Sequence, residues 1–409
     1  MRVLLTIILA ALTSFSFSQD LARFSVSPVP GAGITPVGVS LEGINYNTDR
    51  GRIALFESGR GGKEVTSQIE RGTVTRLWFM YDNRSGRKTY VIRLVNDENQ
   101  VQGALSSDLD ETDLTVSQEG NPVFSYRHSI MVPPEGVDEI FGRSGFIHPL
   151  WSPGGEVLTR VQPPDHYHHY GIWNPWTAAT FDGRTVDFWN LGSGQGTVRF
   201  AGFSGNEAGP VYAGMKALQE HVAFIDGEEL VAMHELWDVR VWDINAGDIR
   251  VIDFISVLNS PLSGGILLNQ FRYGGGLGFR TTEKWHKDNS VVFTSEGLGR
   301  AEADGTNARW CIVEGESDVP AGRSGILFLS HPSNRMHPEP LRVWPPDMYG
   351  RGDLYFQFTP IRHEDWGLAP FTSYTQKYRM IVYDGEMLAE DAEKYWRSFA
   401  VSPAVTFLE

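Results

Sequence analysis

Three histidines lie close together in PPDHYHHYGIWNPW, the segment at residues 163–176. If this segment is a strand, His166 and His168 point to one face and His169 to the other. Two neutral imidazoles on one face can bind one divalent metal ion, and Asp165 can then orient one of them. The same pair can instead act as acid and base toward a substrate. The H-x-H spacing leaves both interpretations open, and an aromatic core strand with hydrogen-bonded histidines is the third alternative.

Other ionisable side chains occur in segments that are also rich in glycine, proline and aromatic residues. As catalytic partners of the two histidines we predict three carboxylates and one further histidine: Asp187, Glu235, Glu339 and His337. As substrate-binding residues we predict arginines, which can hold a carboxylate, together with polar and aromatic side chains: Arg143, His148, His169, Trp173, Trp189, Asn334, Arg335 and Arg342. Such a set suits a sugar ring, since its C–H face stacks on aromatic rings and its hydroxyl groups need directional partners.

Several better-known motifs are absent from the sequence. GGGLGFR at residues 274–280 resembles a phosphate-binding loop, but no helix is predicted after it, so its glycines indicate a bulge or a close backbone approach. Neither H-E-x-x-H nor G-x-S-x-G occurs. The single cysteine, Cys311, excludes an internal disulfide and a cysteine-based metal site within one chain. We therefore expect no nucleotide cofactor, and the histidines leave one divalent metal ion open as a cofactor.

Most of the chain shows the two-residue periodicity of β-strands. Runs of β-branched and aromatic residues recur between turn signals, as at residues 75–81, 89–95, 249–258 and 377–383. Convincing helical periodicity occurs only at residues 385–400, where apolar residues recur at three- and four-residue spacing. The sequence thus predicts an all-β, sandwich-like protein with a short C-terminal helix.

The first eighteen residues have the composition of a secretory signal peptide. Arg2 is followed by an apolar run, and small residues that suit signal peptidase lie near Ser18. The run is too short to span a bilayer, and no later window approaches the roughly 20 apolar residues that a span needs. The formal charge of −15 argues against nucleic acid or an anionic membrane as a partner. A single cysteine is ordinary for a bacterial periplasmic protein, so we expect a periplasmic or secreted location.

The acidic segment at residues 105–119 is predicted as a domain boundary. SSDLDETDLT concentrates acidic and small polar residues there without the spacing of a calcium-binding EF-hand loop, so we interpret it as a solvated linker. The chain is thereby divided into a signal peptide at residues 1–18, an N-terminal β-domain at residues 19–115 and a large β-sandwich at residues 116–409.

Two segments resemble the signature of the PmoA-like family of secreted bacterial proteins: IHPLWSPGGEVLTRVQPPDHYHHYGIW at residues 147–173 and GRTVDFWN at residues 183–190. The resemblance extends over residues 123–386 and is most specific in the D-H-x-H-H-x-G core. It implies a β-sandwich like the galactose mutarotase supersandwich and a place in bacterial polysaccharide utilisation. The name of the family refers to a methane oxygenase subunit, whose long apolar spans this sequence lacks, so we treat the name as a mislabel. Many members have Arg where this chain has Tyr170, so a contact from that arginine to a substrate anion is missing here.

Together these features predict an exported carbohydrate-active enzyme, a glycoside hydrolase or a lyase acting on plant or algal oligosaccharides. A carbohydrate is the expected partner, with neither nucleic acid nor a membrane span. Hydrolysis by two carboxylates needs them roughly 5–9.5 Å apart, whereas a histidine-rich site favours proton abstraction or metal assistance. The alternative is a non-catalytic glycan-binding protein, which needs the aromatic surfaces but not three histidines. A structural or interaction protein fits least well.

Overall fold

The computed structural model describes residues 18–47, 49, 51–59, 62–96, 103–244 and 247–409. Within these ranges the chain is mainly β-structure, which confirms the predicted fold class, with one α-helix, α1 (Ala389–Ala400). The predicted signal peptide lies outside the described residues except for Ser18, which begins the first strand. In the described part of the chain, no helix combines the length and the apolar character that a membrane span requires.

The first part of the chain forms two small sheets with a common core. Its strands are β1 (Ser18–Ser27), β2 (Ile34–Ser40), β3 (Arg52–Glu57), β4 (Glu64–Val65), β5 (Ser67–Glu70), β6 (Arg76–Asp82) and β7 (Lys88–Val95). One sheet contains β1, β7, β3 and β4, and the other contains β2, β6 and β5. The rings of Phe24, Phe79 and Tyr90 pack between the sheets at centroid distances of 5.0 to 6.1 Å. Their burial gives this part of the chain its own hydrophobic core.

The remaining strands build a larger sandwich, except for the last one, which joins the sheet of β1, β7, β3 and β4. They are β8 (Leu105–Leu109), β9 (Asp113–Gln118), β10 (Asn121–Arg127), β11 (Phe146–Leu150), β12 (Ile172–Trp173), β13 (Ala179–Phe181), β14 (Arg184–Val186), β15 (Gly196–Glu207), β16 (Tyr212–Ile225), β17 (Glu228–Trp242), β18 (Ile249–Asn259), β19 (Ile266–Leu268), β20 (Gly278–Arg280), β21 (Ser290–Thr294), β22 (Asn307–Ala308), β23 (Trp310–Glu316), β24 (Arg323–Ser330), β25 (Glu339–Val343), β26 (Tyr355–Phe358), β27 (Trp366–Leu368), β28 (Ser373–Asp384) and β29 (Ala404–Leu408). A nine-stranded sheet has the order β22-β25-β26-β20-β12-β11-β10-β9-β8, and an eight-stranded sheet has the order β15-β16-β17-β18-β28-β24-β23-β21. Four short strands, β14-β13-β19-β27, form a further sheet.

The main core lies between the nine-stranded and the eight-stranded sheet. Phe279 and Phe356 on the first sheet contact Phe328 on the second at ring-centroid distances of 5.3 and 4.5 Å. Side chains along β9 alternate between buried and partly exposed, which is the pattern of a strand with one face on a core. This sandwich is the frame on which the loops described below are held.

The acidic segment at residues 105–119 is not the predicted solvated linker. It forms β8 and β9, which pair with each other in the nine-stranded sheet. Leu105, Leu114 and Val116 are buried, whereas the acidic side chains of β8 and of the turn face solvent, as is typical of an edge strand. Asp110 closes the turn by accepting a hydrogen bond from the backbone N–H of Thr112 (2.7 Å). The division of the chain at residue 115 stays a prediction.

The C-terminal helix begins at Ala389, later than the predicted residue 385, and ends at Ala400 as predicted. It packs on the eight-stranded sheet, where Nε1 of Trp396 donates a hydrogen bond to the carbonyl oxygen of Ser330 (3.0 Å). The chain then enters β29, which pairs with β1. The C-terminal segment therefore joins the large sandwich to the N-terminal sheets.

Candidate functional site

The three histidines lie on a loop, and the prediction that they form a strand is wrong. The loop joins β11 to β12 and is closed by a bridge between Val161 and Tyr170. The loop consists of two turns. In the first, the N–H of His166 donates a hydrogen bond to the carbonyl oxygen of Pro163 (2.8 Å), and in the second, the N–H of His169 donates one to the carbonyl oxygen of His166 (3.0 Å). Consecutive prolines at the start of the segment lack the N–H groups that a strand ladder needs, so local turns replace it.

Because the loop turns back on itself, the three imidazole rings converge. One ring nitrogen each of His166, His168 and His169 lies within 4.8 Å of the others. A tetrahedral zinc ion with Zn–N bonds of about 2.0–2.1 Å needs nitrogens roughly 3.4 Å apart, so the rings would have to approach one another to hold such an ion. Burial lowers the pKa of His168 to about 4 and the pKa of His169 well below its usual value. Both rings are therefore neutral at pH 7, which is the form that binds a metal.

The carboxylate of Asp165 fixes the orientation of the first histidine. It accepts a hydrogen bond from Nδ1 of His166 (2.9 Å) and another from the buried guanidinium of Arg280 on β20 (2.7 Å). Burial by itself raises the pKa of Asp165, but the hydrogen bond from His166 and the charge of Arg280 outweigh it and hold that pKa well below its usual range. The ionised carboxylate thus accepts the hydrogen bond from Nδ1 of His166. The other ring nitrogen, Nε2, lies 3.3 Å from the hydroxyl of Tyr349. This is the arrangement of a metal-binding histidine with a carboxylate behind it.

The histidines line a cleft with a solvent-accessible volume of about 200 Å³. Its other walls come from loops and strands far apart in the chain: Asp187, Trp189, Asn190, Phe271, Arg272, Tyr273, Arg342, Trp344, Tyr349 and Tyr355. His169 stacks on Trp189 with ring centroids 5.8 Å apart, and Trp189 meets Tyr273 edge to face at 4.9 Å. Aromatic walls with a few polar groups are the kind of surface that binds a sugar ring.

The cleft brings together six of the predicted site residues: His166, His168, His169, Asp187, Trp189 and Arg342. A seventh, Trp173, packs beside His169 with ring centroids 5.1 Å apart. Among the residues that the structure describes, Asp187 contributes the only carboxylate to the lining of the cleft. Its Oδ1 accepts hydrogen bonds from the backbone N–H groups of Trp189 (2.8 Å) and Asn190 (3.0 Å), so this carboxylate also holds the loop in place.

Glu235 lies elsewhere, in the fully buried core. It is on β17 and faces into the sandwich while His234 faces the other way, as the strand alternation predicts. Its carboxylate accepts hydrogen bonds from Oγ of Ser256 (2.5 Å) and from Nδ2 of Asn174, and it is paired with Nε2 of His221 (2.9 Å). This carboxylate is fully buried and does not line the cleft, so the geometry does not support the predicted catalytic role of Glu235.

His337, Glu339 and Asn334 belong to a second buried cluster outside the cleft. Glu339 is the first residue of β25. Its carboxylate accepts hydrogen bonds from Nδ2 of Asn334 (2.9 Å) and from the hydroxyl of Tyr378 (2.8 Å). Burial raises the pKa of Glu339 to about 7. These contacts anchor the loop before β25 to β28, and they do not place the predicted residues near the histidine loop.

Three predicted substrate-binding residues also lie outside the lining of the cleft. Arg143 is buried with its guanidinium 5.1 Å from the ring centre of Tyr170. His148 is hydrogen-bonded through Nδ1 to Oγ1 of Thr159 (2.8 Å), and Arg335 forms an ion pair at the surface (3.0 Å). The geometry gives each of them a partner within the protein instead of a place at the cleft.

Several cleft residues were not among the predicted ones, notably Arg272, Tyr273, Tyr349 and Tyr355. Arg272 and Tyr273 immediately precede the glycines of residues 274–280, and Tyr349 follows two prolines and precedes a glycine. The same glycine- and proline-rich composition marks the predicted segments, and it is the signal in the sequence that points to these residues.

Residues 113–397 match the model of a family of unknown function, DUF6807, and the chain belongs to that family. This match does not confirm the PmoA-like name. Among curated proteins there is no significant match to the sequence.

Three solved structures match this chain at low identity and low TM-score. Heparan sulfate lyase HepC from Pedobacter heparinus is 11% identical with a TM-score of 0.31, over 71% of this chain and 37% of that chain. A galactose mutarotase related enzyme from Lactobacillus acidophilus is 10% identical with a TM-score of 0.30, over 69% of this chain and 99% of that chain. An alpha-galactosidase from Lactobacillus brevis is 9% identical with a TM-score of 0.29, over 70% of this chain and 39% of that chain. The chain thus spans 37% of the length of the first of these proteins, and similarity at this level carries no information about activity.

Proposed function

We propose that the protein is an exported carbohydrate-active enzyme, a lyase or hydrolase that works through a divalent metal ion bound by His166, His168 and His169. The observation that carries the proposal is the convergence of three imidazoles in an aromatic cleft. Export rests on the predicted signal peptide, and carbohydrate as the substrate rests on the aromatic lining of the cleft.

A three-histidine site suits zinc or a similar divalent ion. An ion held by these three histidines would supply Lewis-acid chemistry, since it could polarise a substrate oxygen or activate a water molecule. The protein supplies the surroundings of that ion. Asp165 orients His166, and the hydroxyl of Tyr349, 3.3 Å from Nε2 of His166, lies where it can exchange a proton with a bound substrate.

The carboxylates of the cleft do not favour hydrolysis by a carboxylate pair. That mechanism needs two carboxyl groups on either side of the glycosidic bond, roughly 5–9.5 Å apart. Of the described carboxylates, Asp187 alone lines the cleft, and Asp165 is paired with Arg280. Metal-assisted hydrolysis, or elimination that begins with removal of a proton from the sugar, therefore fits the cleft better.

A non-catalytic glycan-binding protein is the second candidate. Trp189, Trp344 and Tyr273 offer the stacking surfaces that such a protein needs. Convergent histidines with an ionised carboxylate behind one of them have no purpose in a lectin of that kind. Substitution of a single histidine separates the two candidates, since it abolishes turnover by an enzyme but barely alters the affinity of a stacking surface.

Metal content and turnover of the parent and of His168→Ala test the proposal. Mass spectrometry on natively purified protein gives the metal content, and chromatography of plant and algal oligosaccharides after incubation gives turnover. We expect about one equivalent of a divalent metal in the parent, and loss of both metal and turnover in His168→Ala. His363→Ala is the matched control, because His363 is exposed and lies outside the cleft, and it should retain both properties.

The outcomes are distinct. A folded parent that takes up no zinc, manganese or calcium contradicts metal-dependent chemistry at this site. Oligosaccharide binding that persists in His168→Ala, with no turnover by the metal-loaded parent, identifies a glycan-binding protein instead.

A further inference from the structure

Two arginines line the cleft around a single aromatic ring. The guanidinium carbons of Arg272 and Arg342 lie 5.0 and 5.9 Å from the ring centre of Tyr273. Arg272 is exposed, and no acidic side chain in the described part of the chain pairs with it. Its cation–π contact with Tyr273 restrains it at the cleft. A restrained guanidinium without an acidic partner is available to bind anionic oxygens of a ligand.

Arg342 has an acidic partner, but that partner is shared. Nη1 of Arg342 donates a hydrogen bond to Asp304 (2.8 Å), and Nη2 of Arg362 donates another to the same carboxylate oxygen (3.2 Å). One carboxylate therefore faces two guanidinium groups. With Arg272 added, three arginines oppose one aspartate, which leaves an excess of two positive charges on this side of the cleft.

The rest of the cleft neutralises only part of this excess and leaves one positive charge. Asp187 offsets one of the two charges. Arg280 pairs with Asp165 and Asp353 at 2.7 and 3.1 Å, and Asp353 also pairs with Arg160 at 3.5 Å, so two arginines and two aspartates balance one another there. The whole chain carries a formal charge of −15, so the local excess is opposite in sign to the charge of the protein as a whole. A cleft of this kind concentrates field lines and attracts anions.

We infer that the cleft takes an acidic carbohydrate, and that Arg272 and Arg342 hold its carboxylate or sulfate group. The inference rests on the proposed function, because it names the substrate class of the same cleft. Both anionic groups accept parallel hydrogen bonds from a guanidinium, so the shared chemistry is an anionic oxygen pair on a sugar ring. The aromatic walls bind the ring, and the arginines select for its charge.

Oligosaccharides that differ only in charge test the inference. One pair of probes is an oligogalacturonate and its methyl ester, and the other is a sulfated carrageenan oligosaccharide and its desulfated form. Calorimetry with the full, zinc-loaded protein should show the acidic member of a pair binding roughly tenfold more tightly than its neutral partner, as expected for a charge-assisted hydrogen bond. The preference should weaken as the salt concentration rises.

Arg272→Gln should remove most of this preference, measured as the ratio of the affinities for the acidic and the neutral member. Arg71→Gln is the matched control, since it removes the same charge from an exposed arginine between β5 and β6, outside the cleft. Because Arg272 is exposed and has no acidic partner, its replacement should leave the melting temperature close to that of the parent.

The pair of probes whose acidic member binds more tightly shows whether the cleft binds a carboxylate or a sulfate group. Equal affinity for both members of each pair, in a protein that binds or converts these oligosaccharides, overturns the inference and leaves the proposed function intact. A preference for the acidic member that is unchanged in Arg272→Gln also overturns it, since another group then selects the charge. Absence of carbohydrate binding and turnover contradicts both proposals.

Discussion

Replacing Asp165 with asparagine should weaken metal binding without removing a metal ligand. The carboxylate of Asp165 holds Nδ1 of His166 at 2.9 Å and is itself held by Arg280 at 2.7 and 3.0 Å. Asparagine preserves the shape and one acceptor oxygen, but it loses the charge that orients the imidazole and raises its basicity. Loss of such a carboxylate costs roughly 10–100-fold in metal affinity. This corresponds to about 1.4–2.7 kcal/mol of binding free energy.

Asp353→Asn is the matched control for this experiment. Asp353 accepts a hydrogen bond from Arg280 at 3.1 Å, and it is not a hydrogen-bond partner of His166. In both variants the guanidinium of Arg280, which is 1% exposed, loses the charge of one of its two carboxylate partners. Both variants should therefore lose free energy of unfolding, but only Asp165→Asn should lose metal affinity.

Competition for zinc with a chromophoric chelator measures the metal affinity, and thermal unfolding of the metal-free proteins measures stability. Equal zinc affinity in the parent and in folded Asp165→Asn would refute the role assigned to the carboxylate. An equal loss of affinity in both variants would assign the effect to Arg280 instead of to the hydrogen bond with His166.

Two further predictions concern stability. Gly275→Ala should lower the free energy of unfolding by about 2–5 kcal/mol in urea titrations, because the backbone is at φ +70° and a Cβ would lie 1.9 Å from the ring of Trp176. Gly183→Ala, at φ +73° with open space around it, should cost only roughly 1–2 kcal/mol, and equal losses would contradict the packing argument. Because burial raises the pKa of Glu339 to about 7, the folded protein binds a proton there that the unfolded chain releases near pH 4.5. The stability from this group is thus fully present below pH 4.5 and is lost as the pH rises through about 7, by roughly 3 kcal/mol in total. Glu339→Gln should flatten this part of the pH profile, and an unchanged profile would show that another group titrates.

Strand and helix content could be predicted from the sequence because their signals are local. The alternation along β9 and β17 and the three- and four-residue spacing in α1 depend only on near neighbours in the chain. The prediction of a linker at residues 105–119 was wrong because it, too, depended only on local composition. The composition of this segment is that of a linker, and only the burial of Leu114 and Val116 against distant strands shows that it forms two strands of a sheet.

The prediction that the glycines of residues 274–280 permit a close backbone approach is confirmed. Gly275 lies against Trp176, and a Cβ on Gly276 would lie 2.2 Å from the carbonyl oxygen of Phe358. Glycine composition indicates that something approaches the backbone, but it does not indicate what approaches. The approaching groups come from other parts of the chain, so the tertiary structure was needed to name them.

The histidine segment shows what the sequence determined about this protein and what it left open. The residue types alone identified His166, His168 and His169 as the group most suited to chemistry, and the prediction that they include a possible metal site stays open to the test above. Two prolines turned the expected strand into a loop, and the loop, not strand alternation, decides that the three rings face one another.

Only the tertiary structure determines which distant residues contact the histidine segment. Asp165 meets Arg280 across 115 residues of sequence, and His166 meets Tyr349 across 183. It also places Glu235 and Glu339 in buried hydrogen-bond networks, which no spacing in the sequence predicts. The physical reason is that residue type and periodicity set what a segment can do and which face it buries, whereas the meeting of distant loops depends on how two large sheets twist and pack.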